Sequence, residues 1–562
     1  LDINLAIAGE AGQGLKTMEE IIAKALHRHG YHVFSHKDYM SRVRGGHNFM
    51  QIRFGNVPHQ SPREEIDILV ALNQDGIDNH QQRVQSSGYI IFDGQSSEDK
   101  MISVAAKKLA QRINPRATNT VFLGVLWQLL GLELTELKQV IKERFKKEEV
   151  QQDNLELLEA GYEATSNSFS IEEPAKKGEE DYLLLEGNQA VGLGAAVAGV
   201  QFYSAYPMTP STGVLNYLAA RQDKLGIAVE QAEDEIAAIN MALGASFAGA
   251  RTMTGTSGGG FALMTEAFGL AGVMEAPIVI AEVMRPGPAT GMPTRTGQGD
   301  LSFVLNASQD EFPLKVIAPR DQEDAFYQTF RAFNLADKYQ MPVVILSDQF
   351  LADSAATVPK FALDELEINR YLVDEESWPE DKEYKRYEIT EDGISPRAYP
   401  GQLSGEVVLA DSHEHFESGR ISEEIETRNA MVDKRARKFE KQRREDTLEP
   451  LYQGPEKPEV LMLGFGSTYG VLKEVQQKLS AEGKSVGMLS FNDVWPLPTA
   501  ELEKRYSYNT HLVVVENNNT GQFSRLVTAY TEIGTDYRLL KYDGRPFTTD
   551  ELYRRMKEEV KY

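Results

Sequence analysis

Short apolar runs of strand length recur along this chain with helix-length stretches between them, and that alternation narrows the folds open to it. "INLAIAG" (3–9) precedes "LKTMEEIIAKALHRHG" (15–30), whose apolar spacing is that of an amphipathic helix ended by Gly30. "HVFSHK" (32–37), "IDILVAL" (66–72) and "YIIFD" (89–93) follow. The pattern returns with "PIVIAEV" (277–283) and "PVVILSD" (342–348), and again with "EVLMLGFGSTYG", "KSVGMLSF" and "HLVVVENNN" beyond residue 457. Strands alternating with helices predict parallel sheets covered by helices, an α/β class. At 562 residues the chain has room for about three or four such domains.

The expected division is an α/β domain over 1–165, a linker over 166–181, a second α/β domain over 182–350, a connecting segment over 351–456 and a third α/β domain over 457–562. The linker, "SNSFSIEEPAKKGEED", is polar and charged. In the second domain "GNQAVGLGAAVAGVQF" and "INMALGASFAGAR" offer small-residue faces for close helix packing. The connecting segment carries "DKRARKFEKQRRED" (433–446), read as a solvated helix or arm.

Hydrophobic residues make up 41% of the chain, enough for a core in each domain. A net charge of −25 argues against nucleic acid or an anionic membrane as the main partner. Cysteine is absent, which excludes disulfides, a thiolate nucleophile and cysteine-ligated zinc or iron–sulfur sites on this chain. "TVFLGVLWQLLGLEL" (120–134) is too short to span a bilayer and reads as a buried helix. The first residues lack the basic and apolar regions of a signal peptide, so the expected location is cytoplasmic.

Several stretches carry chemistry. "AGEAGQGLKT" sets Gly9, Gly12 and Gly14 between a strand and a helix, where backbone N–H groups can close on a phosphate. The G-x-x-G-x-G spacing is not the dinucleotide fingerprint, and a ligand-free turn fits equally well. "SRVRGGHN" (41–48) adds Arg42 and Arg44, either phosphate grips or a plain surface loop. In "SAYPMTPSTG" (204–213), Pro207 and Pro210 stiffen the backbone around Thr209, and Ser211 or Thr212 is placed to cap the following helix. Thr209 then seats a small carboxylate, or the segment is only a rigid turn.

Glu230, Glu233, Asp234 and Glu235 precede a helix of small residues. Most acids there complement the helix dipole, whereas Glu235 leads straight into an apolar run and points inward. "TGTSGGG" (254–260) is a bend open to close approach. "VMRPGPATGMPTRTGQGD" (283–300) is an ordered loop with Arg285 and Arg295, each able to hold a carboxylate. The ten histidines are scattered, and His47 reads as structural.

Taken together, "YPMTPST", "QAEDEIAAINMALGASFAGAR", "GTSGGGFALMTEAFGLAG", "RPGPATGMPTRTGQGDL" and "VVVENNNTGQFSRLV" resemble the α subunit of the 2-oxoacid:ferredoxin oxidoreductases with a γ-type domain fused at its N-terminus. The resemblance implies a γ-type domain, a pyrimidine-type thiamine diphosphate domain and a transketolase C-terminal-like domain. It implies coenzyme A-dependent oxidative decarboxylation of a 2-oxoacid, of which 2-oxoglutarate fits the fused layout best, with electrons passing to ferredoxin, or the reverse CO2-fixing reaction. By that likeness Glu235 faces the aminopyrimidine of thiamine diphosphate, with Tyr206 and Pro207 beside the coenzyme. Thr209 and Arg285 meet the substrate, as do Thr294 and Arg295, and Gly12, Gly14, Arg42 and Arg44 belong to the domain that handles coenzyme A. No G-D-G…N motif occurs, so Mg2+, the diphosphate and the 4Fe-4S cluster are expected on a β subunit in an (αβ)2 assembly, where acidic ferredoxin also docks. A nucleotide-dependent dehydrogenase and a non-catalytic scaffold subunit are the other readings.

Overall fold

The computed structural model describes residues 1–41, 45–95, 100–166, 169, 171, 181–379 and 382–562. Arg42, Arg44 and most of the 166–181 linker lie outside the described residues. The chain forms two compact units, one of Leu1–Glu186, Asp353–Phe361 and Phe547–Arg554, the other of Gly187–Ala352, Ala362–Pro546 and Arg555–Tyr562.

The first unit is built on an eight-stranded sheet. Its parallel half runs Met101–Ser103, Val84–Phe92, Ile66–Ala71, Asp2–Ala11. Gly45–Gly55, His32–Asp38, Ala355–Pro359 and Tyr182–Glu186 complete it, all antiparallel to their neighbours. The antiparallel half departs from the parallel pairing expected from the alternation. Its cause is the strand Gly45–Gly55, which starts inside the stretch read as a loop and pairs with Asp2–Ala11 over nearly its whole length.

Helix Leu15–Arg28 buries Leu15, Met18, Ile22 and Leu26 at helical spacing against this sheet. Helix Thr118–Leu130 is the expected buried helix, apolar almost all round, with Trp127 fully enclosed. It meets helix Glu148–Glu163 where a Cβ on Gly124 would fall 2.2 Å from the carbonyl oxygen of Leu158, so the backbones touch.

The second unit holds two sheets. The seven-stranded one runs Asp493–Trp495, Lys315–Ile317, Pro342–Asp348, Ile278–Met284, Thr252–Thr256, Phe202–Ala205, Ala228–Gln231. Every pairing is parallel except that of the first strand. The five-stranded sheet runs Leu451–Gln453, Val486–Phe491, Val460–Phe465, His511–Glu516, Tyr537–Leu540, again antiparallel only at its first strand. Ile280, Val344, Phe261 and Phe268 share one apolar core with Leu463, Phe491 and Val514, which joins the two sheets. Among the described residues no helix is long and apolar enough to cross a membrane.

The basic run 433–446 is not a solvated arm. Helix Ile425–Glu445 turns Met431, Lys434, Lys438 and Gln442 inward. The ammonium groups of Lys434 and Lys438 lie 2.6 and 2.5 Å from the fully buried carboxylate of Glu275. Burial pushes the Glu275 carboxyl upward, but the two lysines override this and hold it well below the ordinary range. Arg386 adds a bond to the Glu275 carbonyl at 2.8 Å. Asp337 likewise gathers Arg251 at 2.7 Å and Arg397 at 2.6 Å, tying the connecting segment to the seven-stranded layer.

Candidate active site

Parallel strands deliver their exits to one edge of a sheet, which is where ligands bind in open α/β folds. The second unit follows this rule. Strand Phe202–Ala205 runs into Tyr206–Pro210, strand Ala228–Gln231 into Glu235, strand Thr252–Thr256 into the glycines 258–260, and strand Ile278–Met284 into Arg285. Residues up to 80 positions apart thus converge without any local sequence signal linking them.

Arg285 is nearly buried, and its Nη1 donates to the carbonyl oxygen of Thr209 at 2.6 Å. That is its only side-chain bond among the described residues, so its other N–H groups remain available. Burial draws its guanidinium below the ordinary value while Asp300 pulls it back up. The peptides Thr209–Pro210 and Gly287–Pro288 are cis. Ser211 does not cap helix Thr212–Ala219 as expected: its hydroxyl donates backward to the Met208 carbonyl at 2.8 Å and so folds the turn onto itself. Tyr206 stands exposed, with Pro207 half-buried beside it.

Glu235 opens helix Glu235–Phe247 and is 4% exposed. Its neighbour Asp234 takes the capping role, accepting from Ala237 N at 2.7 Å, which frees Glu235 to turn inward. Its Oε1 is buried with no hydrogen-bond partner among the described residues. A lone buried carboxyl oxygen is costly and calls for a donor from elsewhere. The carboxyl lies over Gly260, where a Cβ would come within 2.6 Å of Oε1, so the glycine bend is what leaves it room. The orphaned atom is free to accept from a nitrogen donor of a bound ligand.

The loop after Arg285 is pinned along its length. Met292 N donates to the Pro286 carbonyl at 2.9 Å and Arg295 N to the Met292 carbonyl at 3.1 Å. Thr294 and Arg295 are buried on its returning limb, where Arg295 packs beside Gly544. Gln298 and Asn517 exchange two bonds, at 2.7 and 3.0 Å, and so fasten the loop to the turn carrying "ENNN". Asp348, at the end of its strand, accepts from Ser467 and from Leu351 N at 3.0 Å.

Two acids escaped the sequence reading. Glu282 sits in the middle of the central strand, fully buried, and Asp300 ends the loop; their carboxyl groups are within hydrogen-bonding reach of each other. The only available sign was one acid inside the apolar run "PIVIAEV".

In the first unit, Gly12 and Gly14 adopt φ of +94° and +77° between strand Asp2–Ala11 and helix Leu15–Arg28. Gln13 fills the turn: its Oε1 accepts from Glu10 N at 2.7 Å, and its carbonyl accepts from Asn119. His47 pairs with His80, their Nε2 atoms 2.8 Å apart. Among the described residues no group of three or more His, Cys, Asp or Glu is arranged to hold a metal ion.

Comparison with known proteins gives three family matches. Residues 193–434 match the thiamine diphosphate-binding family of pyruvate flavodoxin/ferredoxin oxidoreductases. Residues 4–164 match the pyruvate ferredoxin/flavodoxin oxidoreductase family, and 458–551 the pyruvate:ferredoxin oxidoreductase core domain II. The 2-oxoacid:ferredoxin oxidoreductase subunit alpha of a Sulfolobus species is 32% identical, over 98% of this chain and 96% of its own. The 2-oxoglutarate synthase subunit KorA of Archaeoglobus fulgidus is 34% identical over 60% of this chain and 88% of its own. Among solved structures, the 2-oxoglutarate:ferredoxin oxidoreductase of Magnetococcus marinus, with 2-oxoglutarate, coenzyme A and succinyl-CoA bound, superposes with a TM-score of 0.91 at 32% identity, covering all of both chains.

Proposed function

This chain belongs to the α subunits of the 2-oxoacid:ferredoxin oxidoreductases, and from that membership we propose that it supplies half of an active site for coenzyme A-dependent oxidative decarboxylation of 2-oxoglutarate, or for the reverse carboxylation. The choice of 2-oxoglutarate over other 2-oxoacids draws on the substrate bound in the Magnetococcus marinus enzyme and on the activity named for the Archaeoglobus fulgidus relative. Thiamine diphosphate, when bound, supplies the carbanion that makes loss of CO2 from a 2-oxoacid possible.

Glu235 holds a proton between its carboxyl group and the coenzyme's ring nitrogen, and so favours the tautomer able to take up the proton that activates the thiazolium. Tyr206 and Pro207 wall the coenzyme. Arg285 turns its free N–H groups to the substrate's 1-carboxylate, oriented by its bond to Thr209. Thr209, Thr294 and Arg295 complete the substrate contacts. Gly12, Gly14, Arg42 and Arg44 serve coenzyme A.

A β subunit brings the diphosphate with Mg2+ and the 4Fe-4S cluster, in an (αβ)2 complex that acts in the cytoplasm and reduces ferredoxin. The absence of cysteine supports placing the cluster elsewhere. Exposed Ile236 and Met241 on the helix that Glu235 begins, with exposed Leu263 on helix Gly258–Val273, support completion of the site by another chain.

The observation that carries the reading is the orphaned, buried Oε1 of Glu235. Glu235→Gln in the assembled complex is expected to lower turnover by about 100-fold or more with assembly intact. Unchanged turnover would make this chain a scaffold.

A further inference from the structure

We propose that Glu282 and Asp300 are positioning residues that share one proton, so that the wall behind Arg285 carries one negative charge instead of two while a substrate carboxylate approaches. The inference rests on the reading of Arg285 as the carboxylate grip.

Glu282 lies on strand Ile278–Met284, three residues before Arg285, which follows the strand's end, and is fully buried, with neither carboxyl oxygen receiving a hydrogen bond from any donor among the described residues. Asp300 Oδ2 is buried and equally without a donor. The glycine that starts helix Gly258–Val273 leaves space for it, since a Cβ there would come within 2.5 Å of Oδ2. Two ionised carboxylates are acceptors only, so in this setting they repel and leave three buried oxygens unsatisfied. One proton resolves both problems, because the protonated acid donates to its neighbour and one charge is removed.

The charged groups bearing on the pair are Arg285, which faces Asp300, and Asp348 on the adjoining strand, which faces Glu282. Asp348 has its own donors in Ser467 and Leu351 N, which offset part of the burial that raises its carboxyl. Burial first, then Asp300 and Asp348, push the Glu282 carboxyl well above the ordinary range, and burial raises Asp300 to about 6. At neutral pH the proton therefore sits on Glu282 and the charge on Asp300. Arg285 makes no ion pair with Asp300 within contact distance, which leaves its donors for a ligand.

The pair acts through charge. Loss of the shared proton at alkaline pH adds a second negative charge behind the arginine and weakens its hold on a carboxylate. The expected result for the complex is a rise in KM for the 2-oxoacid of about tenfold on the alkaline side, with kcat less affected. Glu282→Gln, neutral at every pH, is expected to flatten that rise. Infrared spectroscopy gives a readout independent of turnover: the unaltered complex at neutral pH shows the carbonyl stretch of a buried protonated carboxylic acid, and Glu282→Gln removes it.

If the unaltered complex shows no such band, or Glu282→Gln leaves it in place, the shared proton is wrong. With the band present, an alkaline KM rise that persists in Glu282→Gln overturns the positioning role. Arg285→Lys tests the underlying reading separately: if it leaves KM unchanged, the grip is wrong even where the band is found.

Discussion

At Arg285 a single neighbour sets how the side chain can point. Its bond to the Thr209 carbonyl uses one nitrogen of a planar fork and fixes the direction of the rest. Arg285→Lys keeps the charge but loses the two-point geometry, so KM for the 2-oxoacid should rise by about tenfold or more with a smaller effect on kcat, as steady-state kinetics of the complex would show. Asp2 makes a prediction in the other unit. Both of its oxygens bind Arg53 at 2.8 Å, and although burial pushes its carboxyl upward, the arginine overrides this and holds it at about 2 against 3.8 unfolded. A carboxyl lowered on folding stabilises the native state above its unfolded value and loses that contribution as pH falls. Stability should therefore drop between about pH 4 and 2, and Asp2→Asn should reduce that drop in acid unfolding monitored by circular dichroism. Thr209, Arg285 and Glu235 were legible because each stands in a punctuated or charged stretch with a recognisable pattern. Glu282 and Asp300 were not, because a single acid in a strand and the last residue of a loop signal nothing until the fold brings them together.

At the level of elements, alternation of apolar runs located most strands, since a parallel strand buried on both faces needs a continuous apolar stretch. Gly45–Gly55 is hidden because its first residues belong to "SRVRGGHN", which reads as a loop, although "MQIRF" alternates as a strand should. The sequence indicates helix Ile425–Glu445 but not its surroundings: Lys434 and Lys438 look solvated until Glu275, more than 150 residues earlier, is placed between them. Glu275→Gln should cost about 3–5 kcal/mol in chemical denaturation, because it leaves two buried ammonium groups without their counter-charge. The close helix pair in the first unit is equally exacting. Gly124→Val should destabilise by about 1–3 kcal/mol, since its side chain would meet the Leu158 carbonyl.

For the molecule as a whole, the chain carries an arginine, a threonine and an unpartnered glutamate at one sheet edge, yet no cysteine and no metal cluster among the described residues. As an α subunit, it is one component of a multi-subunit oxidoreductase. The composition made this division visible, since absent cysteines need no fold to be counted, whereas the exposed Ile236, Met241 and Leu263 became a surface only once two helices had packed. The most direct test is to isolate the chain anaerobically with the subunit that accompanies it and to follow cluster absorbance after adding 2-oxoglutarate and coenzyme A. The account predicts a stoichiometric partner bearing an iron–sulfur chromophore and thiamine diphosphate, bleached by 2-oxoglutarate far faster than by pyruvate. Isolation of a lone chain without coenzyme, or a cluster that no 2-oxoacid reduces, would contradict it.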